Sequence, residues 1–147
     1  MPGYSGTPLP KKLGIKAGFR VWLANAPAEV RAELREALGE CIVTRVVTKE
    51  VTREAAKESD ALDFAMMFCK SRKELTEQFS RIAERLAPAG MLWVSWPKKS
   101  SGVVTDLDGN LVREIGLDAG LVDVKVCAVT EVWSGLKFVR RVKDRKG

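Results

Sequence analysis

The chain has 147 residues, the size of one domain built on one hydrophobic core. With 46% hydrophobic and 30% charged residues, 12 Gly and 6 Pro, its composition excludes a disordered or fibrous protein. The formal charge is +6 and there is no histidine, which removes Ser-His-Asp and Cys-His nucleophile schemes, histidine-ligated zinc and any imidazole pH switch.

Residues 1–19 are broken by Pro2, Gly3, Gly6, Pro8, Pro10, Gly14 and Gly18, so an irregular opening is expected, with one helical turn at most around residues 9–13. Tyr4, the only tyrosine, lies in this segment, either docking it onto the domain or lining a site. Residues 20–25 (RVWLAN) read as a short apolar strand, and Pro27 is well placed as the first residue of a helix. Val30, Leu34 and Leu38 recur at a spacing of four, and Gly39 closes the helix. Residues 41–47 (CIVTRVV) are β-branched and predict a second strand. In the polar stretch that follows, Thr52, Glu54, Ala55 and Ala56 suggest a short helix. Residues 62–69 (LDFAMMFC) are nearly all apolar, as expected for a parallel strand buried on both faces.

Ser71 and Glu74 form a Ser-x-x-Glu capping box, in which each side chain satisfies a backbone N–H of the other's residue. Leu75, Phe79, Ile82 and Leu86 supply the buried stripe of the ensuing helix, and residues 87–90 (APAG) are expected to end it. Residues 91–96 (MLWVSW) predict a further central strand, leading into the polar loop from Pro97 through Gly102. A helix from about Asp108 would carry Leu111, Ile115 and Ala119 on one side and stop near Gly120. Residues 122–129 (VDVKVCAV) alternate like a half-exposed strand. Residues 136–142 (LKFVRRV) pair with it in a hairpin across TEVWSG. Asp106-Leu107-Asp108-Gly109-Asn110 has the outline of a calcium loop, but its twelfth position is Leu117 rather than Glu, so Asp108 is read as a helix cap.

The order β-α-β-(α)-β-α-β-α-β-β implies an α/β domain: about six strands, mostly parallel and covered on both faces, with an antiparallel hairpin at the end. The expected division is an irregular segment over 1–19 packed on the domain, the domain itself over 20–142, and a basic tail over 143–147.

Residues 62–98, then 120–129 and 133–141, resemble the second half of a class I S-adenosylmethionine methyltransferase, a three-layer Rossmann-like fold with a terminal antiparallel hairpin. A closer resemblance, carried by YSGTPLPKKLGIKAG (4–18), WPKKSSGV (96–103) and VDVKVCAVTEVWSGLKFVRR (122–141), is to a small bacterial family of domains of unknown function. It implies no activity. The departures from the methyltransferase pattern are specific. Where such enzymes follow the first strand with a Gly-rich turn, this chain has Asn25, Ala26, Pro27 and Ala28. Only Glu50 is a candidate for the acid that would hold the ribose, and one strand-helix unit is missing. The resemblance therefore implies a trimmed relative with no cofactor, S-adenosylmethionine being the alternative.

In doubly wound sheets ligands bind beyond the carboxyl ends of the strands. That edge should carry Asn25, Lys70 and Ser71, Lys98, Lys99, Ser100 and Ser101, and the hairpin residues Trp133 and Ser134. Lysines, hydroxyls and free N–H groups at the helix opening with Ser71 would together hold an anion. Trp22, Trp93 and Trp96 are expected in the core, whereas Trp133, at a turn, is expected to be exposed for stacking or anchoring.

The charge is uneven. Residues 1–20 carry +4, residues 136–147 carry +5, and the stretch between nets −3. The strand-end face supports a non-catalytic binding module for an anionic small molecule or a protein partner. The alternatives are a degenerate methyltransferase, or nucleic-acid binding through the basic termini. No catalytic or metal-ligating residue is assigned. Cys41, Cys69 and Cys127, each in an apolar run, read as small buried residues without disulfides. With no signal-peptide core and no membrane-length apolar run, a cytoplasmic setting is expected.

Overall fold

The computed structural model describes residues 7–44 and 61–145. Tyr4, Glu50, the helix expected around 52–56 and the second strand beyond Thr44 lie outside the described residues.

The elements are α1 (Leu9–Leu13), β1 (Arg20–Ala24), α2 (Ala28–Leu38), β2 (Ile42–Thr44), β3 (Leu62–Phe68), α3 (Arg72–Arg85), β4 (Leu86–Pro97), α4 (Gly109–Asp118), β5 (Leu121–Ala128) and β6 (Trp133–Arg140). The strands form one sheet in the order β2-β1-β3-β4-β6-β5. The first four run parallel, and β6, inserted between β4 and β5, is antiparallel to both.

Burial on both faces explains why β3 lacks polar alternation. Phe64, Met66 and Phe68 pack on one side with Leu9, Leu13, Val30 and Leu34 of α1 and α2. Ala65 and Met67 point the other way, to Leu75, Phe79 and Ile82 of α3 and Val112 of α4. The result is the three-layer α/β architecture implied by the pattern of elements.

Several boundaries differ from the sequence reading. Residues 87–90 do not form a turn, since β4 begins at Leu86, directly after α3. The helix is instead ended from outside: the Arg140 guanidinium donates to the carbonyls of Ala83 (2.9 Å) and Leu86 (2.8 Å), groups a helix C-terminus leaves unsatisfied. Gly90 lies against the Leu62 carbonyl, leaving no room for a Cβ.

In α4 the buried residues are Val112 and Gly116, with Leu111 and Ile115 packed at their flank and Ala119 exposed. The contact centres on Gly116 because the Phe138 ring fills the space its side chain would take. A bulge between Asp123 and Lys125 breaks the alternation of β5, so Val124, Lys125 and Val126 are all exposed. Pro27 is the N-cap of α2 rather than its first residue. Cys69 is buried, but Cys41 and Cys127 are half-buried, and all three are free thiols.

Among the described residues no helix is long and apolar enough to cross a membrane.

Candidate functional site

The carboxyl ends of β1, β3 and β4 meet at one edge of the sheet. The hairpin turn joins them there, because Pro97 is paired with Trp133 and the Lys98 N–H donates to the Val132 carbonyl at 2.8 Å. Lys70 and Lys98 follow adjoining strand ends, β3 being paired to β4 through Phe68 and Ser95. Topology thus places Asn25, Lys70, Ser71, Lys98, Lys99, Ser100, Ser101, Trp133 and Ser134 along this edge. Asn25, Lys70, Lys99 and Ser100 are exposed, and Ser71, Lys98, Ser101 and Ser134 are half-buried.

Trp133 does not fit the exposed role expected of it. It is only 8% exposed, with its ring edge-on to Phe68 at 5.2 Å between centroids. The turn folds it inward: the Trp133 N–H donates to Thr130 Oγ1 at 3.0 Å, and its carbonyl accepts from the Val129 N–H at 2.9 Å.

The N-terminus of α3 is also less open than expected. Ser71 Oγ accepts from the Glu74 N–H at 3.2 Å, one half of the predicted capping box, while Glu74 Oε1 accepts from the Lys70 N–H and the Ser71 hydroxyl, both at 3.4 Å. Asp106 Oδ1 accepts from the Arg72 N–H at 2.7 Å, so a carboxylate of the chain itself already sits against the helix opening. The neighbouring Thr105 Oγ1 donates to the Lys70 carbonyl at 2.6 Å and accepts from the Leu107 N–H at 3.1 Å. Ser101 Oγ donates to the Lys98 carbonyl at 2.6 Å and accepts from the Val103 N–H at 3.2 Å. Ser101 therefore spends its hydroxyl on the backbone, and Ser71 divides its own between the Glu74 N–H and the Glu74 carboxylate. Asp108 caps α4 by accepting from the Leu111 N–H at 2.8 Å, as the sequence predicts. Among the described residues, no three His, Cys, Asp or Glu side chains are grouped to hold a metal ion.

What remains at this edge is cationic. Arg72 and Lys73, not singled out from the sequence, are exposed in the first turn of α3 beside Lys70, with Lys98 and Lys99 on the next strand end. Cations are disfavoured at a helix N-terminus, which carries a partial positive charge of its own. The signal for them was available in the run Lys70-Ser71-Arg72-Lys73, where the capping serine is bracketed by bases.

Two clefts mark the described surface elsewhere. One, of about 650 Å³, lies between Arg31, Arg35 and Leu38 of α2 and Leu23, Val43 and Thr44 of the sheet. The other, of about 320 Å³, includes Ser80, Glu84, Gly120, Arg140 and Asp144. Neither takes a wall from the nine predicted residues.

The turn after β1 tests whether a nucleoside cofactor would fit. Asn25 adopts the left-handed conformation, φ 59°, that a glycine would favour there. Ala26, however, turns a buried methyl inward, its carbonyl accepts from Arg31 Nε at 3.1 Å, and Pro27 has no N–H to offer. A Gly-rich cradle, by contrast, offers free backbone N–H groups at a turn with no Cβ. The residues present do not make one.

Sheet order, layering and the inserted antiparallel strand define a methyltransferase-like Rossmann domain. Within that class, the chain belongs to the family described as "Protein of unknown function (DUF3052)", whose pattern matches residues 10–142. No curated protein gives a match. Solved structures share the fold at low identity. One is magnesium protoporphyrin IX methyltransferase from Synechocystis PCC 6803 with bound SAH (TM-score 0.54, 13% identity, 90% of this chain and 78% of that one). A second is a SAM-dependent methyltransferase from Aquifex aeolicus (0.54, 18%, 87% and 85%). A third is a TehB-like SAM-dependent methyltransferase from Corynebacterium glutamicum (0.53, 8%, 95% and 90%).

Proposed function

We propose that this domain is a non-catalytic binding module that holds an anionic ligand or partner at the carboxyl edge of its sheet. The observation that carries this reading is the gathering of Lys70, Arg72, Lys73, Lys98 and Lys99 around an α3 opening whose own dipole makes cations costly. Such an arrangement is favourable once an anion is bound, through charge-assisted contacts from mobile ammonium groups. The helix N–H groups are not the recognition element in this reading, because Asp106 and Ser71 use them.

A second reading, a degenerate methyltransferase that still takes S-adenosylmethionine, draws on the likeness to an SAH-bound enzyme and on the left-handed Asn25. Against it stand the Ala26 carbonyl already engaged by Arg31, Pro27 with no N–H, and the absence of any histidine base. A thermal-shift panel separates the two, since a ligand that binds only the folded chain raises its midpoint. The binding-module reading expects stabilisation by nucleotides or phosphates, abolished in a Lys98→Gln/Lys99→Gln variant. Stabilisation by S-adenosylmethionine or S-adenosylhomocysteine alone would replace it with the second.

A further inference from the structure

A separate cluster of lysines lies on the α1 side of the β5–β6 hairpin. Lys125 and Lys137 are directly opposed in the antiparallel register, and like charges in that position destabilise a strand pair. Both side chains face α1: Lys137 is paired with Trp93, which packs in the α1 core, and Lys125 Nζ donates to the Lys12 carbonyl at 3.0 Å. The third ammonium arrives from α1 itself, where Lys12 Nζ donates to the Ala128 carbonyl at 2.7 Å. Lys12 and Lys125 both come near enough to Cys127 to favour its thiolate, though burial outweighs them and keeps that thiol's pKa raised.

Neither α1 nor β6 contains an acid, and Asp123 of β5 points to the other side of the sheet, where its carboxylate meets Arg113 Nε at 3.2 Å. Lys137 is half-buried and has no hydrogen-bond or ion-pair partner among the described residues. Burial first, and then Lys125, push its ammonium pKa down, the signature of a cation held without its counter-charge.

We propose that Lys12, Lys125 and Lys137 form a binding site for a phosphate group on the α1 face of the β5–β6 hairpin. Two strands contribute opposed cations and a helix adds a third, so a phosphate seated between them would remove the repulsion and accept three charge-assisted hydrogen bonds. A lysine pair is costly to the folded chain alone, as expected where stability is given up for a site. The phosphate could belong to a free small molecule or to a nucleic-acid backbone; the chemistry is the same, and the probes tell them apart.

The test is calorimetric titration of the whole chain, at constant ionic strength, with inorganic pyrophosphate and with a short single-stranded oligonucleotide. Saturable pyrophosphate binding in a Lys98→Gln/Lys99→Gln background, which silences the strand-end edge, weakened about tenfold or more when Lys125→Gln/Lys137→Gln is added, supports the site and a free phosphate. Saturable binding of the oligonucleotide alone, with the same dependence, supports the site and a backbone phosphate. No binding of either, or binding indifferent to Lys125 and Lys137, overturns the proposal. The thermal midpoint of Lys137→Met gives an independent reading: a midpoint above wild type agrees with a cation kept for a ligand, and a lower one makes Lys137 a structural residue and overturns the proposal.

Discussion

The backbone N–H of Arg72 donates to Asp106 Oδ1 at 2.7 Å, across a sequence separation of 34 residues. This contact ties the loop between β4 and α4 to the first turn of α3, and it puts a carboxylate where an external anion would otherwise be drawn. Asp106→Ala should cost about 1 kcal/mol, the usual loss of a side-chain cap. Urea denaturation should show a lower midpoint with an unchanged slope. No loss of stability would mean that the contact is incidental to α3.

At Gly116 α4 packs directly on the sheet, and the Phe138 ring occupies the position of its missing side chain. Phe138 is held in turn by Phe79, edge-on at 5.4 Å, so it has little room to withdraw. Gly116→Ala should destabilise the chain by about 1–3 kcal/mol despite the better helix propensity of alanine. A stabilised variant would show that the ring yields.

Arg140 closes α3 by donating to the Ala83 and Leu86 carbonyls. Both bonds come from one nitrogen, Nη2, so Arg140→Lys, which keeps a charged donor, should lose less than Arg140→Met, which loses about 1–3 kcal/mol as expected for a charged hydrogen-bond donor. Equal stability of the two variants would contradict a role for the donated hydrogen bonds.

Burial, with a smaller contribution from Glu74, pushes the Cys69 thiol up to about 12. The folded chain therefore keeps this proton over a pH range in which the unfolded chain, with a thiol near 9.0, has lost it. The associated stability is present below pH 9 and falls as pH rises toward 12. At pH 8 a thiol-specific disulfide reagent should label Cys41 and Cys127, both half-buried, while Cys69 reacts only in denaturant. Rapid labelling of all three thiols under native conditions would contradict this.

Much of the fold was legible in local chemistry. The apolar run of β3, the Ser71–Glu74 cap and the Asp108 cap are each set by residues close in sequence, so pattern and spacing suffice. The features that differed depend on distant partners. The C-terminus of α3 is fixed by Arg140, the buried stripe of α4 by Phe138 and the inward turn of Trp133 by Phe68, none of which a local window contains. The candidate edge followed from topology alone, since parallel strands must end together. What those ends do with their hydrogen bonds did not, because Asp106 and Thr105 reach back from a later loop. The uneven charge read from the sequence falls on two different edges of the sheet. The edge with Lys98 and Lys99 lies opposite the one from which the basic C-terminal tail leaves, since β6 runs antiparallel.

The binding-module proposal rests most on the turn formed by Asn25, Ala26 and Pro27, which lacks the glycines of a nucleoside cradle, and on the cations at the strand ends beside it. Equilibrium dialysis of the purified chain against S-adenosylhomocysteine, with ATP in a parallel cell, tests this directly. Retention of ATP that Lys70→Gln/Lys98→Gln/Lys99→Gln abolishes, with no retention of S-adenosylhomocysteine, is the predicted result. Saturable retention of S-adenosylhomocysteine, lost when Ala26 is replaced by a bulkier residue, would contradict it.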